Sequence, residues 1–188
     1  RVSLGIGVAM TEDEFENLGV DFKTRGRRTD DLLGALQALW TQETPEYSGP
    51  FYTYSGQKFS PKPKQKPYPP ILVGGGSKAA LRRTARFGDG WHALRKTPGQ
   101  IREAMAELGE MMDAAGRNIA DLHISISLPV GMGMKASDRA ADDHTSLKGA
   151  AQDMADTIGA YGDAGIHEVV LSLGSREKSA HVEMIELI

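Results

Sequence analysis

From residue 71 onward, short apolar runs alternate with stretches of helical spacing, and this alternation limits what the chain can fold into. Ile71–Val73 is an apolar run of strand length, and Ser77–Phe87 follows with helical periodicity. Gly90–Ala93 reads as the next strand. Thr97, Pro98 and Gln100 then read as N-cap, first-turn proline and capping-box partner of a helix that buries Ile101, Met105, Leu108 and Met112 and stops at Gly116. A strand at Ile124–Val130, a loop, a helix carrying Met154, Ile158 and Tyr161, a strand at Val169–Leu173 and a last helix from about Lys178 continue the rhythm. Upstream, Val2, Leu4, Ile6 and Val8 alternate with small residues as a strand should. Thr11 opens a short acidic helix with Glu14 as its capping-box partner. Leu32, Leu33, Leu36, Leu39 and Trp40 share one face of a helix starting near Thr29. Five strands alternating with helices predict an α/β fold with a parallel sheet.

Residues 45–70 interrupt the rhythm. Phe51–Tyr54 and Gln57–Phe59 read as a small hairpin, and "PKPKQKPYPP" as an extended proline-rich crossing. The whole, 188 residues with 40% hydrophobic content, suits a single domain over residues 1–188 with this stretch inserted. A net charge of −3 gives no basic excess for binding nucleic acid or an anionic membrane. No apolar stretch reaches the roughly 18 residues of a membrane span. Without cysteine there is no disulfide, thiol nucleophile or thiolate metal site, which fits a cytoplasmic enzyme.

The candidate site lies where parallel sheets bind ligands, at the carboxyl ends of the strands. Gly74, Gly75, Gly76 and Ser77 join a strand to a helix there. With Lys78 and Ala79 they match the loose dinucleotide pattern G-x-G-x-x-A, which also needs an acid at the end of the next strand. That strand ends "WHALRK" instead, so the nicotinamide reading lacks its ribose anchor. Two uses remain: a tight turn, or an anion cradle of backbone N–H groups at a helix N-terminus with the Ser77 hydroxyl added. Three consecutive glycines carry a large entropy cost for a plain turn, which favours the cradle. Arg95 and Lys96 end the neighbouring strand, close enough to reach a phosphate, and His92 lies on the same edge. His123, His144, His167 and His181 have no partners at ligand spacing, and Asp142-Asp143-His144 reads as a solvated loop. "RGRR" at Arg25–Arg28, ahead of Asp30-Asp31, reads as mixed surface charge.

Three segments carry a family resemblance: "LGIGVAMTEDEFENLGVDFKTRGRRTDDLLGALQALWT", "PKPKQKPYPPILVGGGSKAALRRTARFGDGWHAL" and "YGDAGIHEVVLSL". In this order they resemble the luciferase-like monooxygenase superfamily, over nearly the whole chain. The resemblance implies a (β/α)8 barrel that binds FMN or the deazaflavin coenzyme F-420 and acts on a small organic substrate. It implies a cofactor phosphate at Gly74–Ser77 and at the strand end Leu94–Thr97. It also implies that Gly7, in the "GIG" strand, and Trp91 with His92 lie near the flavin ring. The family pattern places three strand–helix units before "LGIG", so the chain corresponds to the last five units. No catalytic residue is assigned on this basis, and a non-catalytic flavin-binding remnant is the alternative. With Arg1 in mid-strand, the expectation is a piece of a longer polypeptide or a chain that pairs with a second copy.

Overall fold

The computed structural model describes residues 2–56, 58–130 and 145–173. Its elements run β1 (Leu4–Ile6), α1 (Glu12–Asn17), α2 (Arg25–Thr41), β2 (Tyr47–Ser48), β3 (Thr53–Tyr54), β4 (Ile71–Gly74), α3 (Lys78–Phe87), β5 (Gly90–Ala93), α4 (Pro98–Ala114), β6 (His123–Val130), α5 (Ala151–Gly162) and β7 (Glu168–Leu173). β1, β4, β5, β6 and β7 pair in that order, every pair parallel. Each new strand adds beside the last one, as in a barrel wall, and the order never reverses as it does in a doubly wound sheet.

Singly wound crossovers of one hand place all the helices on one face of the sheet. The core obeys this. Ile71 and Val73, then Trp91 and Ala93, then Ile124, Ile126, Leu128 and Val130 alternate along their strands and are buried against the helices. Leu33 of α2 and Phe87 of α3 meet the β4 pair, while Ile101, Leu108 and Met112 of α4 and Tyr161 of α5 meet β5 and β6. Each such side chain contributes about 1.5–3 kcal/mol on burial. The face opposite the helices is small and polar. Gly5, Leu72, Gly90 and His123 share one row of it, and Gly74, His92, Ser125 and Glu168 the next.

Several local expectations shift. α2 starts at Arg25, not near Thr29, because the start signal is Asp21, whose carboxylate accepts the Lys23 N–H at 2.9 Å and opens a 3₁₀ turn over Phe22–Thr24 that runs into the helix. Thr29 is interior and returns its hydroxyl to the Arg25 carbonyl at 2.8 Å. Thr11 sits at the N-cap of α1 but makes no capping bond, so that capping box is absent. The Thr97–Gln100 box has both of its bonds. The hairpin pairs Thr53–Tyr54, inside the expected first strand, with Tyr47–Ser48 upstream and not with the expected second strand; Gln57 lies outside the described residues and Phe59 is in no strand. Asp31 of α2 sets that register. Its carboxylate accepts the Tyr47 hydroxyl and the N–H groups of Phe51 and Tyr52, holding the turn to the helix. Burial alone would raise this carboxyl, but the three hydrogen bonds bring it below its ordinary value, so it stays ionised. The expected last helix, Asp142–His144 and His181 lie outside the described residues.

α3 is held at its far end by Arg117. The guanidinium donates to the carbonyls of Thr84, Ala85 and Gly88, at 3.3, 2.9 and 2.6 Å. Ala85 lies in the last turn, whose carbonyls a helix end leaves without intrahelical partners, Gly88 is the C-cap, and the Thr84 carbonyl also accepts the Gly88 N–H. Arg117→Met keeps the length of the side chain and removes the donors, and should cost about 2 kcal/mol of unfolding free energy. Urea denaturation of the two forms measures it.

Candidate cofactor-phosphate site

The carboxyl ends of β1, β4 and β5 lie side by side, so Gly7, the Gly74–Ser77 loop and Leu94–Lys96 share one edge of the sheet. β5 builds the loop. The Gly75 N–H donates to the His92 carbonyl at 3.1 Å, and the Trp91 indole N–H donates to the Gly75 carbonyl at 2.7 Å. Trp91 itself is fully buried. It therefore sits behind the loop as its anchor. Gly75 takes φ +127, a conformation that a residue with a side chain rarely adopts, and a Cβ there would lie 3.1 Å from Ala80 Cβ. A Cβ on Gly76 would lie 3.2 Å from Lys96 Cε and 3.3 Å from the Leu94 carbonyl. The close packing of the loop against α3 and the end of β5 therefore requires glycine at both positions.

Ser77 is the N-cap of α3, its Oγ accepting the Ala80 N–H at 3.2 Å while its own hydroxyl hydrogen remains to be donated. The first helical bond runs from Leu81 N–H to the Ser77 carbonyl, so the amides just ahead of it face the loop's opening without helical partners. The cations divide unequally. Lys96 leans on Gly76, and its carbonyl accepts the Tyr161 hydroxyl at 2.8 Å, which fixes the backbone that carries it. Arg95 is exposed, with backbone φ +50, and turns away from the strand line. Lys78 pairs with Glu107 of α4 at 2.6 Å and is directed along the helix surface. Of the sequence candidates, Gly74, Gly75, Gly76, Ser77 and Lys96 converge on one opening. Gly7 is one strand away, exposed at the end of β1.

His92 lies on the helix-free face, its Nδ1 within 2.9 Å of Ser125 Oγ. Burial holds its imidazole below the ordinary histidine range, and the Glu168 carboxylate pulls weakly the other way. The two remaining described histidines are structural: His123 Nε2 meets Glu168 Oε2 at 2.7 Å, and His167 Nδ1 accepts the Ile124 N–H at 3.0 Å. No group of His, Asp and Glu among the described residues is suited to a metal ion. Asp89, the acid nearest the glycine pattern, accepts the Ile71 N–H at 2.9 Å, which puts it at the amino end of β4, away from the loop. That geometry removes the ribose anchor of a nicotinamide site. No helix among the described residues is long and apolar enough to cross a membrane.

Sequence reasoning missed three contributors: the Trp91 indole as loop anchor, Tyr161 as support for Lys96, and the role of "RGRR". Only the first left a trace, a tryptophan one residue after a strand-opening glycine. The arginines overturn a surface reading. Arg25 and Arg28 are partly buried and line a cleft of about 160 Å³ formed with Gly7–Ala9, Phe15, Thr29, Leu32 and Tyr52.

A singly wound, all-parallel sheet with its helices on one face and a glycine-rich loop at its carboxyl edge has the form of a segment of an α/β barrel wall. Residues 1–180 match the luciferase-like monooxygenase family, and the chain belongs to it. An uncharacterized protein of Mycobacterium tuberculosis is 37% identical over 117 residues, 62% of this chain and 40% of its own length. An FMNH2-dependent dimethylsulfone monooxygenase of Pseudomonas putida is 32% identical over 95 residues, 49% of this chain and 26% of its own. The chain thus spans well under half the length of these relatives. In fold it is similar to an F420-dependent secondary alcohol dehydrogenase solved with an F420-acetone adduct, with TM-score 0.79 at 15% identity, over 100% of this chain and 69% of that one. The monooxygenase RslO1 of Streptomyces bottropensis gives TM-score 0.79 at 20% identity, over 98% and 66%.

The depressed basicity of His92 sets a pH dependence. The unfolded chain takes up this proton near pH 6.5 and the folded chain only at lower pH, so stability falls as pH drops through about 6.5. Urea midpoints at pH 5.5 and 7.5 should differ in that direction, and His92→Gln should reduce the difference.

Proposed function

We propose that this chain carries the cofactor-phosphate edge of a flavin- or deazaflavin-dependent oxidoreductase that acts on a small organic molecule. In this reading it forms the last five strand–helix units of a luciferase-type barrel. The observation that carries the proposal is the Gly74–Ser77 loop itself: glycine at 75 and 76 lets the backbone pack within contact of Lys96 at the amino end of α3, where Ser77 is the N-cap. A phosphate fits that donor set, since it accepts from backbone N–H groups and a serine hydroxyl and is balanced by one ammonium. The cofactors named for the relatives, FMNH2 in one and F420 in another, both suit the reading.

In that role Gly75, Gly76 and Ser77 bind the phosphate and Lys96 balances its charge. Trp91 and Tyr161 hold the two backbone segments in place from behind. His92, neutral and hydrogen-bonded to Ser125, presents an imidazole on the barrel-side face one register step from the loop. When bound, the flavin or deazaflavin supplies the redox chemistry, and the protein orients it and excludes water. A cysteine-free enzyme of this kind is expected to work in the cytoplasm.

Titration of the chain with FMN and with coenzyme F-420, followed by visible absorption, tests the reading. One of them should bind, and Gly76→Val should weaken it at least tenfold, about 1.4 kcal/mol. Lys96→Met should reduce the fall of affinity with added salt. An intact fold that binds neither cofactor, or a Gly76→Val form that binds as well as the parent, overturns it.

A further inference from the structure

The cleft beside Gly7 lies one strand across from the proposed phosphate loop, and its two arginines are in an unusual condition. The Nε–H groups of Arg25 and Arg28 are buried and meet no acceptor among the described residues. Arg25 spends one Nη1 bond on the Phe22 carbonyl at 3.0 Å and lies over the Phe22 ring at 3.8 Å. Arg28 lies over the Phe51 ring at 4.6 Å. Neither makes an ion pair with a carboxylate of the described residues.

The chain treats its other buried guanidinium groups differently. Arg83 is bonded to Asp30 and to the Gly26 carbonyl, and Arg117 to three carbonyls. The acids closest in sequence are already committed: Asp30 to Arg83, and Asp31 to Tyr47 and the hairpin turn. The two guanidinium groups line one partly enclosed cleft, and no carboxylate among the described residues balances them; their charge calls for an anion from outside. The remaining walls are apolar or aromatic, from Val8, Phe15, Leu32 and Tyr52. The wanted anion therefore has an organic body. The cleft also adjoins the proposed cofactor edge, because the Ile6 carbonyl lies 3.4 Å from where a Gly74 Cβ would be.

We infer that this cleft binds the acidic group of an organic substrate, a carboxylate or sulfonate on a small apolar body, through Arg28 and Arg25. The inference deepens the proposed function by naming a substrate class, and rests on that reading for the term substrate. Binding of the anion itself does not depend on the cofactor.

The test uses the cofactor-free chain with benzenesulfonate and its neutral counterpart methyl phenyl sulfone, followed by calorimetry and by the arginine Nε–Hε signals in NMR. Benzenesulfonate should bind and shift two of those signals, and the sulfone should bind at least tenfold more weakly. Arg28→Gln should lose at least tenfold in benzenesulfonate affinity while its FMN or F-420 affinity is unchanged, and Gly76→Val should show the reverse pattern. That crossing separates failure of the cleft from failure of the phosphate site. Equal binding of the sulfonate and the sulfone, or undiminished sulfonate binding by a folded Arg28→Gln form, overturns the inference. Should Arg28→Gln not fold, the arginine signals of the parent chain decide: if benzenesulfonate leaves them unmoved, the inference fails.

Discussion

The fully buried indole of Trp91 and the carbonyl of Gly75 form the contact on which the open edge of the sheet depends. An indole N–H removed from water needs an acceptor, and the backbone supplies it at 2.7 Å. The bond fixes the peptide plane after Gly75, and with it the direction in which the next amides point. The return bond from the Gly75 N–H to the His92 carbonyl closes a two-point attachment of the loop to β5. Core packing and site geometry therefore meet in a single residue: the ring fills the layer between sheet and helices, and its one polar atom shapes the edge.

The edge divides its charges by function. Lys96 sits at the glycine loop with its backbone braced by Tyr161, whereas Lys78, nearer in sequence, is drawn away by Glu107. One strand across, Arg25 and Arg28 keep donors in reserve that no described carboxylate takes up. The polar row of Gly74, His92, Ser125 and Glu168 starts at the loop and runs across β4, β5, β6 and β7, away from the cleft. In the proposed reading the loop and the cleft would each hold an anionic group, one beside Lys96 and the other beside Arg25 and Arg28.

The architecture was legible because periodicity and glycine placement are local properties. The strands at 71, 90, 124 and 169 and the Thr97–Gln100 capping box come directly from spacing, and the parallel order follows from the alternation. The loop at Gly74–Ser77 was legible for the same reason. Features fixed by distant residues were not. The hairpin register depends on Asp31, which lies 20 positions before Phe51 in the chain. The orientation of Trp91 depends on a carbonyl 16 residues earlier. The arginines of "RGRR" look like surface charge until Phe22, Phe51 and Tyr52 are folded around them.

The small polar face opposite the helices bears on how the protein behaves among other macromolecules. A parallel sheet normally carries branched apolar residues on both sides, and one side laid bare would be adhesive. Here Gly5, Gly90, His92, Ser125, Ser127 and Glu168 take most of those places, with Leu72, Pro129 and Val170 as the apolar exceptions. Gly90 and Ser125 are buried even so, and in the proposed barrel this is the face that turns inward. Whatever meets this face must recognise it by shape and hydrogen bonding, since greasiness alone gives a partner nothing to grip.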